Sequence, residues 1–465
     1  MSSAGQPAAS GTERRGWLQA VLVYRQPRML SMLLLGFSAG LPFFLVFQTL
    51  SAWLRQDGIQ RATIGMLAWV GIVYSIKFLW APVVDRTKLP LLYRLFGRRR
   101  SWMLLAQAGI AVGLLNLSLS DPSADILRVA MWALFVAFCA ATQDIAVDAW
   151  RIESAPPEMQ GAMAAAYQLG YRGALIVGSA GAMTVAAGFG WQASYTTMAA
   201  LVAVGVITTL ASREPEAGAS RDTVLREERV IAWLDQRTHW PHWMRNAGAW
   251  FIGAVVCPLI DFFGRFGWRT AVFILLFMST YRLTEFTMGS MANPFYIDKG
   301  YTLPQIATVV KVFGLATSMI GVVLAGIVIA KLGILRALVL GSCLIMASNL
   351  GFAGLATTDS PSLVGLAAVN SLDNLAQALH GTSLIAFLSS LTSPKYTATQ
   401  YALFSSLYAL PGKILEGTSG FVVDNVGYVT FFVYTASLSL IGLTLLFVLA
   451  RLGVFYKSSG DGHSE

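Results

Sequence analysis

The run Ile126-Leu-Arg-Val-Ala-Met-Trp-Ala-Leu-Phe-Val-Ala-Phe-Cys-Ala-Ala-Thr-Gln-Asp144-Ile-Ala-Val-Asp148-Ala-Trp-Arg151 is apolar enough to cross a bilayer, yet it carries two carboxylates near its end. A carboxylate at the centre of a membrane helix costs roughly 2.5–3.5 kcal/mol on insertion scales, so such residues face protein or water and serve a purpose there. Asp144, Asp148 and Arg151 fall at i, i+4 and i+7 and share one helix face. A spanning helix with one charged stripe implies a water-accessible path through a helical bundle. The plainer role for Asp148 and Arg151, in the last turns, is contact with lipid headgroups; Asp144 lies deeper.

The composition of the whole chain agrees with that reading. Hydrophobic residues make up 55% and charged residues 12%, with a mean hydropathy of +0.61, whereas a soluble domain carries about a quarter charged residues. Apolar runs of about 20 residues, the length a bilayer demands of a helix, recur along the chain. They predict an all-α integral membrane protein of about twelve transmembrane helices. Spans 1 to 6 are expected at 28–53, 61–84, 102–118, 126–152, 162–187 and 191–210. Spans 7 to 12 follow at 270–296, 303–330, 335–357, 363–391, 397–423 and 428–450.

The spans form two six-helix bundles, at 28–211 and 269–451, with an arm at 1–27, a polar linker at 212–268 and a tail at 452–465. Two such blocks around one long loop are the hydropathy signature of a transporter built from parallel repeats. Arginines crowd the arm and the loop between spans 2 and 3, which places that side, both termini and the linker in the cytoplasm. The net charge of +9 is therefore read as membrane topology rather than as a nucleic-acid surface. The apolar stretch 247–263 is expected to lie along the cytoplasmic face, because a crossing there would turn Lys331 and Arg336 outward against the positive-inside pattern.

Other chemistry is missing. Cys139, Cys257 and Cys343 have no paired spacing, so no disulfide is expected, and His239-Trp-Pro-His242 has too few ligands for a metal site. No nucleotide-cradling loop, nucleophile elbow or ATP motif occurs, so no cofactor is expected and energy must come from a gradient. A membrane enzyme would need a nucleophile or an acid–base pair at the interface, and no residue spacing here provides one. A scaffold would not need arginines at midplane depth in both halves.

The loop after span 2, Ala81-Pro-Val-Val-Asp85-Arg86 with Gly97-Arg98-Arg99 beyond an insertion, resembles the signature loop of the major facilitator superfamily. Its counterpart Gly326-Ile-Val-Ile-Ala330-Lys331-Leu-Gly333 in the second half keeps the frame and loses the acid. Asp85, Arg86, Arg98, Arg99 and Arg151 are read as a gate, in which Asp85 pairs with a neighbouring helix end, Arg151 being a candidate partner; the alternative is topogenic charge plus a tight turn. Further motifs narrow the resemblance to the AmpG-type muropeptide permeases: Leu35-Gly36-Phe37-Ser-Ala-Gly40-Leu41-Pro42, Lys77-Phe78-Leu79-Trp80-Ala81-Pro82, Ala141-Thr-Gln-Asp-Ile-Ala-Val-Asp-Ala-Trp150 and Tyr396-Thr-Ala-Thr-Gln-Tyr-Ala-Leu-Phe404. Span 7 departs from the family pattern, with Tyr281-Arg-Leu-Thr-Glu285-Phe286 where the family usually ends in Asp-Ala.

This resemblance implies a proton-linked inner-membrane importer of N-acetylglucosaminyl-anhydromuramyl peptides, acting as a monomer, with protons, lipid and muropeptide as its partners. Another anionic cargo, acetyl-CoA-like or a peptide or drug, is the alternative. An anionic muropeptide needs cations at depth, and guanidinium matches a carboxylate bidentately. Lys77, Arg172, Arg282, Lys311 and Lys413 are the candidates, with Arg172 and Arg282 each about 20 Å along its span. Gln143, Gln168, Asn370, Asn374 and Gln377 are candidate hydrogen-bonding groups, and Tyr74, Tyr167, Tyr171 and Tyr281 candidate sugar-stacking rings. Asp144, Asp148, Glu285 and Glu416 are candidate proton carriers; Arg282 with Glu285 and Lys413 with Glu416, each at i+3, are alternatively structural pairs. His380, inside span 10, is read as a hydrogen-bonded core histidine.

Overall fold

A computed structural model describes residues 26–59, 67–156, 159–215, 241, 244, 248, 252, 256–416 and 418–457. Most of the arm and the linker, with His239 and His242, lie outside these residues, as do the side chains of Lys311 and Lys413. Every regular element among the described residues is helical. Among the described residues eight helices are long and apolar enough to cross a membrane, and the one at 160–211 holds two crossings joined at Gly190. Spans 10 and 11, which carry more polar residues, and span 2, which is broken into short pieces, complete the twelve. This is a multi-pass membrane protein.

The internal repeat is visible in the backbone. Gly97 (φ 81°) opens span 3 as Gly333 (φ 82°) opens span 9, and Gly190 (φ 82°) turns span 5 into span 6 as Gly427 (φ 75°) turns span 11 into span 12. Positive φ costs glycine nothing, so the chain reverses there without a long loop. Spans 4 and 10 also begin alike, capped by the side chains of Asp125 and Ser362.

Membrane helices bury their polar face inward and leave their apolar face to lipid. Span 4 does so: Leu127, Met131, Leu134, Phe135 and Phe138 are exposed along one side, while Gln143, Asp148 and Arg151 are buried. Each half has its own core. Phe44, Leu114, Val136 and Tyr195 belong to the first, and Phe277, Tyr281, Phe387 and Phe404 to the second. At one end of the molecule a shared cluster joins them, with Ala398 and Ala402 of span 11 packed among Met29, Met103 and Trp150. Spans 5, 8 and 10 meet deeper, at Ala165, Val322 and Ala378.

Several spans are less regular than their hydropathy predicts. Span 2 descends in short pieces with 3-10 turns at Ala68–Gly71 and Lys77–Leu79. Span 7 ends one helix at Tyr281 and starts another at Leu283, with Arg282 (φ −97°, ψ 9°) between them. Span 5 widens into a π-turn at Ile176–Gly181. Broken membrane helices are tolerated where they line a cavity or are held by protein, which makes these places functional candidates. The helix Cys257–Phe266, the described part of the 247–263 stretch, turns at Gly267 into span 7. It packs on the ends of spans 10 and 11, where Arg265 donates to the Leu391 carbonyl and Gln400 to that of Pro258.

Candidate functional site

Two charge clusters, one in each half, sit at the breaks in spans 2 and 7. In the first half the Lys77 Nζ stands 4.0 Å from an Asp144 oxygen and 3.8 Å from an Asp148 oxygen. Arg151 Nη2 donates to the other Asp148 oxygen at 3.4 Å. The charged stripe of span 4 is thus matched by one cation from span 2 and one from its own helix. Arg151 is fully buried and Asp148 nearly so, which corrects the reading of these two as headgroup contacts. Lys77 serves here as a counter-charge.

The second half holds a tighter cluster. Arg282 forks onto Glu285, its Nε donating to Oε2 at 2.8 Å and its Nη2 to Oε1. His380 Nδ1 lies 3.6 Å from Glu285 Oε2, and its ring stacks on Tyr281 at 3.9 Å. The structural pairing of Arg282 with Glu285 is therefore the one observed. Tyr281 is corrected out of the cargo-binding set: it is buried within its own half and donates to the Leu338 carbonyl.

Arg172 lies between these clusters on span 5. Its Nε has no hydrogen-bond partner among the described residues, and the charges acting on it are Glu285 and Arg282 across the interface. Tyr167 and Tyr171 precede it on the same helix and join Phe43, Phe44, Phe47 and Tyr74 in an aromatic wall with centroid spacings of 4.8–6.1 Å. The wall is held by backbone contact between spans 1 and 5. A Cβ on Gly170 would lie 1.8 Å from the Leu33 carbonyl oxygen, and one on Gly36 2.2 Å from that of Tyr167. Small residues let membrane helices approach this closely. Span 11 faces the wall with Tyr401 and Tyr408, whose rings lie 5.0 Å from the Arg151 guanidinium and 5.5 Å from that of Arg282.

One end of the interface is latched. Asp85 accepts from the backbone N–H of Thr399 at 2.7 Å, that of Ala398 at 3.2 Å and the Thr399 hydroxyl at 2.8 Å. It caps the start of span 11 from the opposite half, where the helix dipole and free N–H groups favour an anion. Arg99 donates to Asp85 at 2.8 Å and forks onto Glu153 at 2.6 and 3.0 Å. The expected pairing of Asp85 with a helix end is found, though not through Arg151, which instead donates to Ser389 of span 10 at 2.7 Å. Arg98 donates to the Asp85 carbonyl, while Arg86 is exposed.

Some expected residues stand apart. Gln143 is fully buried against Ser38 and acts as glue within the first half. Gln168 is half-buried on the same span as Arg172. Asn370 donates to the Val309 carbonyl, Asn374 to that of Asn370, and Gln377 to Asp373. Glu416 lies at the far end of span 11, and its pairing with Lys413 falls outside the described side chains. Sequence reasoning missed Glu153, Ser389, Thr399, Tyr401, Tyr408 and Asp373. The motif Tyr396–Phe404 held two of them, Thr399 and Tyr401.

Comparison with known proteins follows the same lines. The sequence profile of the Major Facilitator Superfamily matches residues 32–415. The anhydromuropeptide permeases of Escherichia coli strains K12 and O157:H7 are each 35% identical over 433 residues, covering 92% of this chain and 81% of theirs. Among solved structures, the proton:xylose symporter XylE bound to 6-bromo-6-deoxy-D-glucose superposes with a TM-score of 0.63 at 12% identity, covering 94% of this chain and 95% of that one. That likeness is one of fold.

Proposed function

The chain belongs to the major facilitator superfamily, within its AmpG-type permeases, and from that membership we propose that it imports anhydromuropeptides across the bacterial inner membrane by alternating access, driven by protons. The observation that carries this reading is the placement of Arg172. It is a membrane-embedded guanidinium without an ion-pair partner among the described residues, set beside a wall of aromatic rings at the interface of the halves. Such a group answers a carboxylate of the cargo's stem peptide, and the rings suit the faces of its sugars. The latch end is the cytoplasmic side, since the arginine-rich loop after span 2 lies there, with both termini on that side. The protein acts as a monomer.

With the latch formed, the cargo enters from the opposite face. Protons bind the loosely paired carboxylates Asp144 and Asp148. Neutralising either one frees Lys77, and thereby the halves, to rearrange. Cargo binding and proton uptake together release Asp85 from span 11.

Labelled anhydromuropeptide uptake into proteoliposomes, with and without an inward pH gradient, tests the function. Accumulation is expected only with the gradient. Arg172→Ala should weaken cargo binding by about tenfold or more, from loss of roughly 1.5–3 kcal/mol of charge-assisted bonding, and Arg172→Lys should restore little of it. A parent protein that neither binds nor accumulates muropeptide would falsify the reading.

A further inference from the structure

Asp373 takes no part in the site described above. It stands ten residues after Leu363, the first helical residue of span 10, so about 15 Å in from the end opposite the latch. It is 6% exposed. Ser348 of span 9 donates its hydroxyl to Oδ1 at 2.9 Å, and Gln377, one turn along span 10, donates its amide to Oδ2 at 2.6 Å. Both donors are neutral. The other buried acids among the described residues each have a cation within 4.0 Å: Asp85 has Arg99, Asp148 has Lys77 and Arg151, and Asp261 has Arg265. Asp373 has none among the described residues.

Among the described residues its surroundings offer no other compensation. The ionisable groups that act on it or feel it are Glu285 and Tyr296, both on span 7. Span 9 adds Ser348 and Asn349, and span 12 adds Thr435, which donates to Asn349 at 2.7 Å; none of these titrates. Span 8 has no described ionisable group at this height. A bare carboxylate away from water costs several kcal/mol, whereas a neutral carboxylic acid with hydrogen bonds does not. The Gln377 amide serves either form, because it offers an N–H to the carboxylate or, turned over, its C=O to the acid O–H. Asp373, Gln377 and His380 fall at i, i+4 and i+7, so one polar line along span 10 leads from Asp373 to the His380–Glu285 pair.

We propose that Asp373 takes up a coupling proton of its own, besides those bound at Asp144 and Asp148, on the side opposite the latch and holds it as a neutral acid while the cargo site faces that side. The proposal rests on the proton-driven reading above. The proton adds to one carboxylate oxygen and forms an O–H; once the halves have rearranged that O–H breaks and the proton passes to water admitted along the Gln377–His380 line.

The test uses the full chain in proteoliposomes with labelled anhydromuropeptide, read as pH-gradient-driven accumulation and as exchange at equal pH. Asp373→Asn should lose accumulation yet keep exchange and the parent's thermal stability, since it replaces one neutral hydrogen-bonded group by another. Asp373→Glu should recover part of the accumulation. Infrared difference spectra of the parent should show a protonated carboxylic C=O band that is missing in Asp373→Asn. A coupled parent whose Asp373→Asn variant accumulates normally overturns the proposal alone, as does a variant that loses exchange and stability together. A parent insensitive to the pH gradient, yet still transporting muropeptide, overturns the proton-driven reading and the proposal with it.

Discussion

The two halves share a backbone frame and use it for opposite chemistry. Counted from their capping residues Asp125 and Ser362, Asp144 and His380 fall within one residue of the same height on spans 4 and 10. The first half sets acids on that helix and answers them with a lysine at 3.8–4.0 Å. The second sets a histidine there and brings the acid from span 7, already forked to Arg282. A single-point contact at ion-pair distance is easily exchanged for water, cargo or a proton, whereas a bidentate pair is held by two aligned bonds. The difference assigns the exchangeable ion pairs to the first half and the fixed ion pair to the second. The latch is equally one-sided, because Ala330 stands where a second Asp85 would.

That comparison can be broken, most sharply through stability. Glu285→Gln should strand Arg282 and cost about 3–5 kcal/mol, the usual penalty for breaking a buried ion pair. Asp144→Asn leaves Lys77 beside Asp148 and should unfold near the parent's temperature. Thermal unfolding of the purified variants in detergent decides between them, and equal losses would mean the halves are not different in kind.

The latch is expected to give a smaller effect. Asp85→Asn removes an anion from a helix start that is worth up to about 2 kcal/mol in partly buried geometry. The latched state should then be depopulated by roughly tenfold. A cysteine at Ala402, buried behind the latch, should react faster with a membrane-impermeant maleimide from the cytoplasmic side, in a background lacking the native cysteines. Unchanged labelling would show that Asp85 does not hold the halves together, and labelling from the other side alone would invert the topology.

The smallest effect belongs to Ser389→Ala. Arg151 loses its acceptor in the other half yet keeps Asp148 and the Tyr401 ring, so the loss should be near 1 kcal/mol. The same Ala402 labelling assay should report a rise of severalfold at most. A response as large as that of Asp85→Asn would make Arg151, rather than Asp85, the principal latch.

Much of this molecule was legible along the chain. Twelve crossings, two repeats, the acidic stripe of span 4 and the arginine-rich loop all follow from hydropathy, helical period and charge counting, because a bilayer imposes its length and polarity on each helix separately. The depth of Arg172 could be counted in the same way. Partners could not. Asp85 meets Thr399, 314 residues away, and nothing local to either residue encodes that contact. The breaks at Lys77 and Arg282 occur inside apolar runs that read as continuous, and short local turns close the backbone there, with the N–H of Leu79 on the Ile76 carbonyl, that of Trp80 on Lys77 and that of Phe286 on Arg282. Asp373 lies among Asn370, Asn374 and Gln377, and nothing in the local sequence says that its donors are Ser348 and Gln377. The sequence alone determined which charges enter the membrane, since insertion is priced helix by helix. Only the tertiary structure decided which of them are neutralised, since that depends on a partner brought within 4 Å by packing between helices far apart in the chain.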